Sequence, residues 1–420
     1  MARVCIISHS HYPYDSRVSR EAHALVGAGH DVDVIALRLG NQPMRERIAG
    51  VSVYRLPIAR LRGGLLRYIF EFITFQLGAT LLAGALHLRH RYSVLETTSV
   101  PDWLVFATIV PKLLGARVLL DLHECMPEYG ATKYGLPQAH RIVRFLSFLE
   151  QASIRYADVV TTCTEQMRER FIERGARPEK IAVVLNSFDE ERYDPEHYQH
   201  VPRNDDDFVL ISHGTVEPNY GLDTVIRAIA ILRERIPGLR LEIYGDGTHL
   251  PAVLALASEL GIADRIRQTD WLRIEELLPR IAAADAGVVA VRRDPFRDVT
   301  LCTKMFDLVS LRRPVVISRT PAVEAHFGPN CMQMFDSGDE QDLARAILGI
   351  YEDPSLRDDL VRHATAANEP YRWVHQRKRY VEIVERLISG TSTHVDDRAA
   401  TPEPVALEAA RSAKSAAQQT

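Results

Sequence analysis

Short β-branched apolar runs alternate with segments of helical period along most of this chain. Val4–Ile7, Val32–Leu37, Val51–Leu56, Tyr92–Glu96, Arg117–Leu120, Val159–Thr161 and Ile181–Leu185 read as strands. They are apolar nearly throughout, as strands covered on both faces are. Arg17–Ala28, Pro101–Leu114, Arg141–Tyr156 and Glu165–Arg174 lie between them with apolar residues at helical spacing. Glu190–Asp207 is polar, charged and interrupted by Pro195 and Pro202, the composition of a linker. The alternation then restarts. Phe208–Ser212, Leu239–Tyr244, Ile266–Asp270, Gly287–Val291, Val315–Ile317 and Cys331–Phe335 read as strands, and Leu222–Glu234, Leu250–Leu260, Ile274–Ala284, Asp339–Tyr351 and Pro354–Ala366 as helices. Glu369–Ser389 is a last amphipathic helix. From Gly390 on, Thr, Ala, Ser, Pro and charge predominate, too little apolar surface to order a segment. The pattern predicts the α/β class in two halves, with ligand-binding loops beyond the carboxyl ends of parallel strands, facing a common cleft.

One stretch departs from the alternation. Gly63–Leu88 is among the most apolar in the protein, flanked by Arg60, Arg62 and Arg67 on one side and by Arg89 and Arg91 on the other. Glu71, Thr74, Gln76 and two glycines interrupt it. Three readings stay open: a core helix, a membrane span, or a helix partly in the core and partly on a membrane surface.

Composition narrows the function classes. Over 420 residues the chain is 46% hydrophobic and 25% charged, with a formal net charge of −4. That is an ordinary globular balance with no drive toward nucleic acid. The five cysteines are scattered, with no metal-ligand spacing among them, and read as small buried hydrophobes. The N-terminus reads as a buried strand rather than a signal peptide.

Arg292–Ser318 concentrates the candidate chemistry. A loop with Asp294, Pro295, Arg297 and Asp298 leads to a helix beginning near Cys302 or Thr303, where Thr is a suitable cap. Met305, Phe306, Leu308 and Val309 give that helix an apolar face, and Val315–Ile317 is a central strand. Open N–H groups at a helix start, with Lys304 on the first turn, attract an anion. Asp307 lies one turn on. Together these groups suit a sugar nucleotide; an ordinary amphipathic helix with solvated charges fits the local pattern as well. Other loops at strand ends are His9–Arg17, Asp121–Glu128, His213–Gly221 and Tyr244–Gly247. The glycines of the last either let a backbone approach a ligand or make a plain tight turn. No nucleophile elbow and no P-loop is present. Asp121, His123 and Glu124 lack further ligands to complete a metal site.

In their order, these residues resemble the retaining family 4 glycosyltransferases of the GT-B fold, over Met1 to about Ser389. His213-Gly-Thr215 followed by Gly221-Leu-Asp223, Ile243-Tyr-Gly-Asp-Gly247, and Thr303-Lys-Met-Phe-Asp307 with Arg313-Pro-Val-Val316 resemble the donor-domain motifs. Tyr14-Asp-Ser-Arg-Val18 and Asp121-Leu-His-Glu124 resemble a bacterial branch that builds surface glycans. The resemblance implies two Rossmann-like α/β/α domains: an acceptor domain at 1–189, a linker at 190–207 and a donor domain at 208–368. A helix at 369–389 would pack back on the first domain, ahead of a disordered tail at 390–420.

It also implies roles. Asp307 would grip the ribose hydroxyls, and Asp298 would sit near the donor sugar. Leu301, Cys302 and Thr303 backbone groups, with Lys304 and Arg293, would hold the diphosphate, and Gly214, Thr215, Gly245 and Asp246 would allow its close approach. His123 would face the reacting sugar, or be a core histidine. Asp15, Arg17 and Glu124 would lie on the acceptor or phosphate side. The chain departs from the family in three places. Both carboxylates are Asp, with eight residues between Asp298 and Asp307 where the family has Glu-x7-Glu. Val216-Glu-Pro-Asn-Tyr220 stands where the family has an Arg and a Lys, so Lys304, Arg292, Arg293 or Arg17 must meet the phosphate charge. The His9–Asp15 loop lacks the usual paired glycines.

The function implied is retaining transfer from a nucleotide diphosphate-sugar to a glycan or lipid-linked acceptor in surface polysaccharide synthesis. No cofactor or metal is expected, and no nucleic acid. The expected location is cytoplasmic, at the inner face of the membrane if residues 63–88 touch it. A non-hydrolysing sugar-nucleotide epimerase and an inactive nucleotide- or glycan-binding protein of the same fold are the alternatives.

Overall fold

The computed structural model describes residues 1–58, 65–198 and 207–391, with backbone alone for 65–69. The start of the apolar stretch, part of the linker and the tail from 392 on lie outside the described residues. The chain forms two compact units. One is Met1–Asn186 together with the C-terminal helix from His375; the other is Ser187–Val374.

The first unit is built on eight strands: β1 (Arg3–Ile7), β2 (Asp31–Leu37), β3 (Arg45–Ile48), β4 (Val51–Leu56), β5 (Val94–Thr98), β6 (Arg117–Leu122), β7 (Val159–Thr162) and β8 (Ile181–Val183). Their order is β3-β4-β2-β1-β5-β6-β7-β8. All pairs are parallel except β3 with β4. β3 escapes the sequence pattern because it is a polar, mostly exposed edge strand, RERI. The second unit has six: β9 (Phe208–His213), β10 (Leu239–Tyr244), β11 (Ile266–Thr269), β12 (Ala286–Val289), β13 (Val315–Ser318) and β14 (Gln333–Phe335). They run β11-β10-β9-β12-β13-β14, all parallel. In each sheet the chain starts in the middle, builds one side, then crosses to the other. The reversal falls between β1 and β5 in one unit and between β9 and β12 in the other, and at such a reversal the flanking loops part and leave a crevice.

Several elements differ from the sequence pattern. Pro101–Leu114 is a 3-10 helix, Asp102–Thr108, followed by a short α-helix, Ile109–Leu113, and Pro111 in the second has no N–H to give. Helices at Met126–Tyr134, which has Gly130 in its interior, and Pro321–His326, of six residues, do not show in the sequence pattern. The described part of the linker is tied into the second unit: Glu190 accepts from the N–H groups of Trp373 and Val374, and Glu196 pairs with Arg312. Its charges serve as caps and ion pairs rather than as a solvated strap. The C-terminal helix Trp373–Ser389 buries Tyr380, Ile383, Val384 and Leu387. Gln376 accepts the Leu185 N–H at 2.9 Å, and the Tyr380 hydroxyl donates to Glu96, both within the first unit.

The apolar stretch is a helix, Leu65–His90, long and apolar enough to cross a membrane by length and composition. One face is core: Phe72, Phe75, Ala79 and Ala83 are buried, and so is Glu71. Glu71 sits 3.1 Å from His9 Nε2, so the carboxylate that interrupts the run points into the unit. The opposite face exposes Phe70, Ile73, Leu77, Leu81 and Leu88, spaced by three, four or seven residues. Beside it the Ile109–Leu113 helix exposes Ile109 and Leu113, and a Cβ on Gly84 would touch Val110 at 3.5 Å.

Candidate active site

The second unit gathers most of the expected donor residues at its sheet reversal. Ser212, Gly214, Thr215, Tyr220, Ala290 and Lys304 line one small pocket at the carboxyl ends of β9 and β12. The Thr303–Ser310 helix starts there. Its N-cap is Cys302, not a threonine, and no side chain caps it. The first-turn N–H groups are therefore open to a ligand. Met305, Phe306, Leu308 and Val309 are buried, which fixes the helix against the sheet. Gly287 makes room for this, since a Cβ there would lie 2.2 Å from Leu308.

Lys304 turns back across the pocket. Its Nζ is 3.4 Å from the Thr215 carbonyl and 4.2 Å from the centre of the Tyr220 ring. Burial lowers its pKa, and the Arg297 charge acts in the same direction. Gly214 has φ +89°, and a Cβ there would fall 2.7 Å from Lys304 Cε. Its immediate steric duty is to the lysine. Gly245 and Gly247 make room for neighbouring loops: a Cβ at Gly245 would meet the Gly214 carbonyl at 2.2 Å, and one at Gly247 the Val216 carbonyl at 2.0 Å. Asp246 between them is exposed, and its backbone carbonyl accepts from the Val216 N–H at 3.1 Å.

Asp307 Oδ2 is 3.0 Å from Nε2 of His213, a buried residue at the end of β9. Asp298 is held by Arg293, whose Nε donates at 2.8 Å, and Arg292 pairs with Asp223. Arg292 and Arg293, two of the three arginines proposed for the phosphates, are thus engaged with carboxylates. Arg297, absent from the expected set, is buried, with its guanidinium 4.7 Å from the centre of the same Tyr220 ring. The one sequence signal for it was Tyr220 itself, an aromatic platform where basic residues were expected. Leu301 and Cys302 are half-buried and Thr303 exposed at the mouth of the helix.

The first unit has its own pocket at its own reversal. Ser8, His9, Ser10, Asp15, Phe72 and Ser99 line a cavity of about 380 Å³. The His9 ring packs 4.3 Å from Phe72 and 4.9 Å from Phe75, centroid to centroid. His9 and Glu71 went unassigned in the sequence because their approach needs the Leu65–His90 helix to cross the end of β1. Asp15 caps the Ser16–Gly27 helix, accepting from the N–H groups of Arg17 and Val18.

Arg17 is not open to a phosphate. It is buried, with Nη2 2.6 Å and Nε 2.8 Å from the two oxygens of Asp121, and its Nε also reaches Glu21 at 3.1 Å. Asp121 additionally accepts from Thr161 Oγ1 at 2.7 Å and binds His123 Nε2. Burial pushes the Asp121 carboxyl up, but Arg17 and His123 outweigh it and hold the group below the usual carboxylate range. The His123 N–H donates to Ser99 Oγ at 2.8 Å, so both ends of this residue are fixed while its ring stays partly exposed. Glu124 is half-buried. Oxygens of Glu21, Glu96 and Asp121 lie within 4.8 Å of one another, spacing that could surround a cation. Arg17 already supplies that charge. Burial and the Asp121 charge push Glu96 up to about 7 and raise Glu21 in the same way. Glu21 Oε2 and Glu96 Oε1 have no hydrogen-bond donor among the described residues, an arrangement that favours a protonated acid there.

Comparison with known proteins adds a common theme. Residues 14–187 match the model of the glycosyl transferase 4-like domain, and residues 207–353 that of glycosyl transferases group 1. The lipopolysaccharide core biosynthesis glycosyltransferase LpsE of Rhizobium meliloti is 30% identical over 240 residues, 56% of this chain and 65% of that protein. The chain thus spans less than two thirds of that relative's length. Among solved structures, sucrose-phosphate synthase from Thermosynechococcus elongatus superposes with a TM-score of 0.74 at 19% identity, covering 93% of this chain and 100% of the other. Anabaena HepE in complex with UDP gives 0.66 at 15% identity, over 91% and 99%. Both likenesses are of fold.

Proposed function

The chain belongs to the glycosyltransferases that join a 4-like domain to a group 1 domain, on the GT-B fold, and from that premise we propose that it transfers a sugar, with retention, from a nucleotide diphosphate-sugar to a glycan or lipid-linked acceptor of a surface polysaccharide. The observation that carries this reading is the uncapped helix start at Cys302–Thr303, with Lys304 on its first turn and Asp307 one turn on, at the sheet reversal of the second unit. LpsE supports the surface-glycan setting, and HepE bound to UDP supports a nucleotide donor.

The chemistry follows from where charge develops. The anomeric bond to the diphosphate breaks as the acceptor hydroxyl approaches the same face of the sugar. The leaving diphosphate gathers negative charge, and fixed N–H groups with Lys304 stabilise it without having to reorganise. These protein charges serve in place of a metal. Asp307, oriented by His213, takes the ribose hydroxyls in this reading, and Asp298, oriented by Arg293, positions the donor sugar. His123, locked by Asp121, is the residue this reading assigns to the reacting sugar. The cavity at Ser8, His9 and Ser99 is the acceptor's place.

The exposed stripe Phe70, Ile73, Leu77, Leu81 and Leu88 rests on the cytoplasmic face of a membrane and brings the enzyme to a lipid-linked acceptor. An apolar helix face with exposed Arg89 and Arg91 at its end matches an anionic bilayer surface. The test is to incubate the protein with a panel of sugar nucleotides, with and without lipid-linked acceptors, and to follow both nucleotide release and glycolipid. Acceptor-dependent release with a retained anomeric configuration is expected. Conversion of the donor sugar without acceptor, or binding without turnover, would overturn the reading.

A further inference from the structure

Arg297 is a second cation at the donor site that neither the motifs nor the family resemblance marks. It is 8% exposed, and although the guanidinium is hydrogen-bonded to Tyr220, its Nε is buried with no hydrogen-bond partner among the described residues. Its guanidinium carbon lies 4.7 Å from the centre of the Tyr220 ring, and Lys304 Nζ lies 4.2 Å from the same centre. Neither cation forms a salt bridge among the described residues. The other arginines of the loop differ, since Arg292 is neutralised by Asp223 and Arg293 by Asp298. A ring quadrupole offsets only part of what it costs to bury two like charges side by side. Asp294 acts on Arg297 and Asp307 on Lys304 only at a distance, without forming an ion pair with either among the described residues. Beside the two cations is the uncapped helix start, whose N–H groups also favour an anion.

We propose that Arg297 and Lys304, gathered on Tyr220, are a two-cation grip for the paired phosphates of the donor, replacing the basic pair missing from the Val216–Tyr220 loop. Tyr220 occupies that loop, so the position that elsewhere supplies charge here supplies the platform on which charges from the next loop converge. Two fixed cations match two linked phosphates better than one. The grip therefore selects nucleoside diphosphates over monophosphates, whichever base they carry. Both cations belong to the second unit. The inference rests on the second unit being the sugar-nucleotide site.

Calorimetric binding of UDP, GDP, ADP and their monophosphates to the full chain tests it. The protein is expected to prefer one diphosphate over its monophosphate. Arg297→Gln is expected to weaken that diphosphate roughly 10- to 100-fold, the usual scale for a charge-assisted contact, and the monophosphate only a few-fold. Arg297→Lys keeps the charge and is expected to retain most of the preference. Arg235→Gln, an exposed ion-pair residue, is the control with unchanged binding. Because the readout is a ratio within each protein, partial unfolding of a variant does not mimic it. If Arg297→Gln is too unstable to titrate, Tyr220→Leu is expected to lower the same ratio. Tight diphosphate binding with the ratio unchanged in Arg297→Gln or Tyr220→Leu overturns the grip and leaves the donor site standing. No binding of any diphosphate by the parent protein overturns both.

Discussion

His123 and Asp121 stand two residues apart at the end of β6, and the imidazole Nε2 is hydrogen-bonded to the same carboxylate that Arg17 grips through two nitrogens. The two residues should therefore fail differently. His123→Ala is expected to lower turnover at least tenfold while the melting temperature changes little, because its ring is partly exposed and Asp121 keeps its bonds to Arg17 and Thr161 without it. Asp121→Asn strands a buried guanidinium and is expected to cost about 3 kcal/mol or more of stability. Thermal melts beside initial rates separate the two. Equal melting losses would place His123 in the core rather than at the chemistry.

Asp307 is pinned by His213 at 3.0 Å, so its contribution should appear in donor binding. Asp307→Ala is expected to reduce kcat/KM for the sugar nucleotide by roughly 10- to 100-fold, the scale of a hydrogen bond to a charged group. His213→Ala, which frees the carboxylate without removing it, is expected to cost less. Unchanged nucleotide release in Asp307→Ala would remove the helix from the donor site.

The Glu21–Glu96 pair predicts a pH dependence of stability. Glu96 is pushed up to about 7 from an ordinary value of 4.5, chiefly by burial. A raised carboxyl favours the fold while it is protonated. Its contribution is full below pH 4.5 and is lost as the pH climbs through about 7. The amount at stake is on the order of 3 kcal/mol. Glu96→Gln is expected to flatten the fall of melting temperature between these limits and to leave the variant more stable than the parent at pH 8. Parallel pH–melting curves for the two would show that Glu96 does not carry the proton.

The helix stripe yields the membrane test. Leu77→Ser with Leu81→Ser removes two exposed leucines, each worth about 1.5–3 kcal/mol if fully buried in lipid. Flotation with anionic vesicles is expected to lose most of the bound protein, with folding intact because neither side chain is in the core. If the parent protein fails to float at low salt, the surface has another use.

Much of this molecule was legible in the sequence because parallel sheets write themselves as short apolar runs. The strands near Val32, Leu239 and Val315 fell within a residue or two of their observed ends. Strand order was hidden, since nothing local in β9 says that β12 will be its neighbour, and with it the reason why each pocket sits where it does. Lys304 and Asp307 could be placed on one helix because its apolar face, Met305, Phe306, Leu308 and Val309, marks it, although its cap is Cys302 rather than a threonine. Arg297 was not legible, because its meaning depends on a ring 77 positions earlier in the chain. Arg17 was read as an open cation, although Glu21 four residues on was a hint that its charge was taken. Gly245 and Gly247 were recognised as special, but what approaches them is a neighbouring loop, which only the fold supplies.

The first unit is discontinuous in sequence, since its core is completed by Tyr380, Ile383, Val384 and Leu387. This has a consequence for the order in which the protein is made. Emerging from the ribosome, the N-terminal half can form its sheet but must keep a slot open, and an unshielded pair of buried acids beneath it, through the synthesis of the entire second half. The second unit, contiguous from Ser187 to Val374, can close first. The half that begins the chain is then the last to finish, and a nascent chain stopped short of Tyr380 is expected to depend on chaperones in a way that the full-length protein does not.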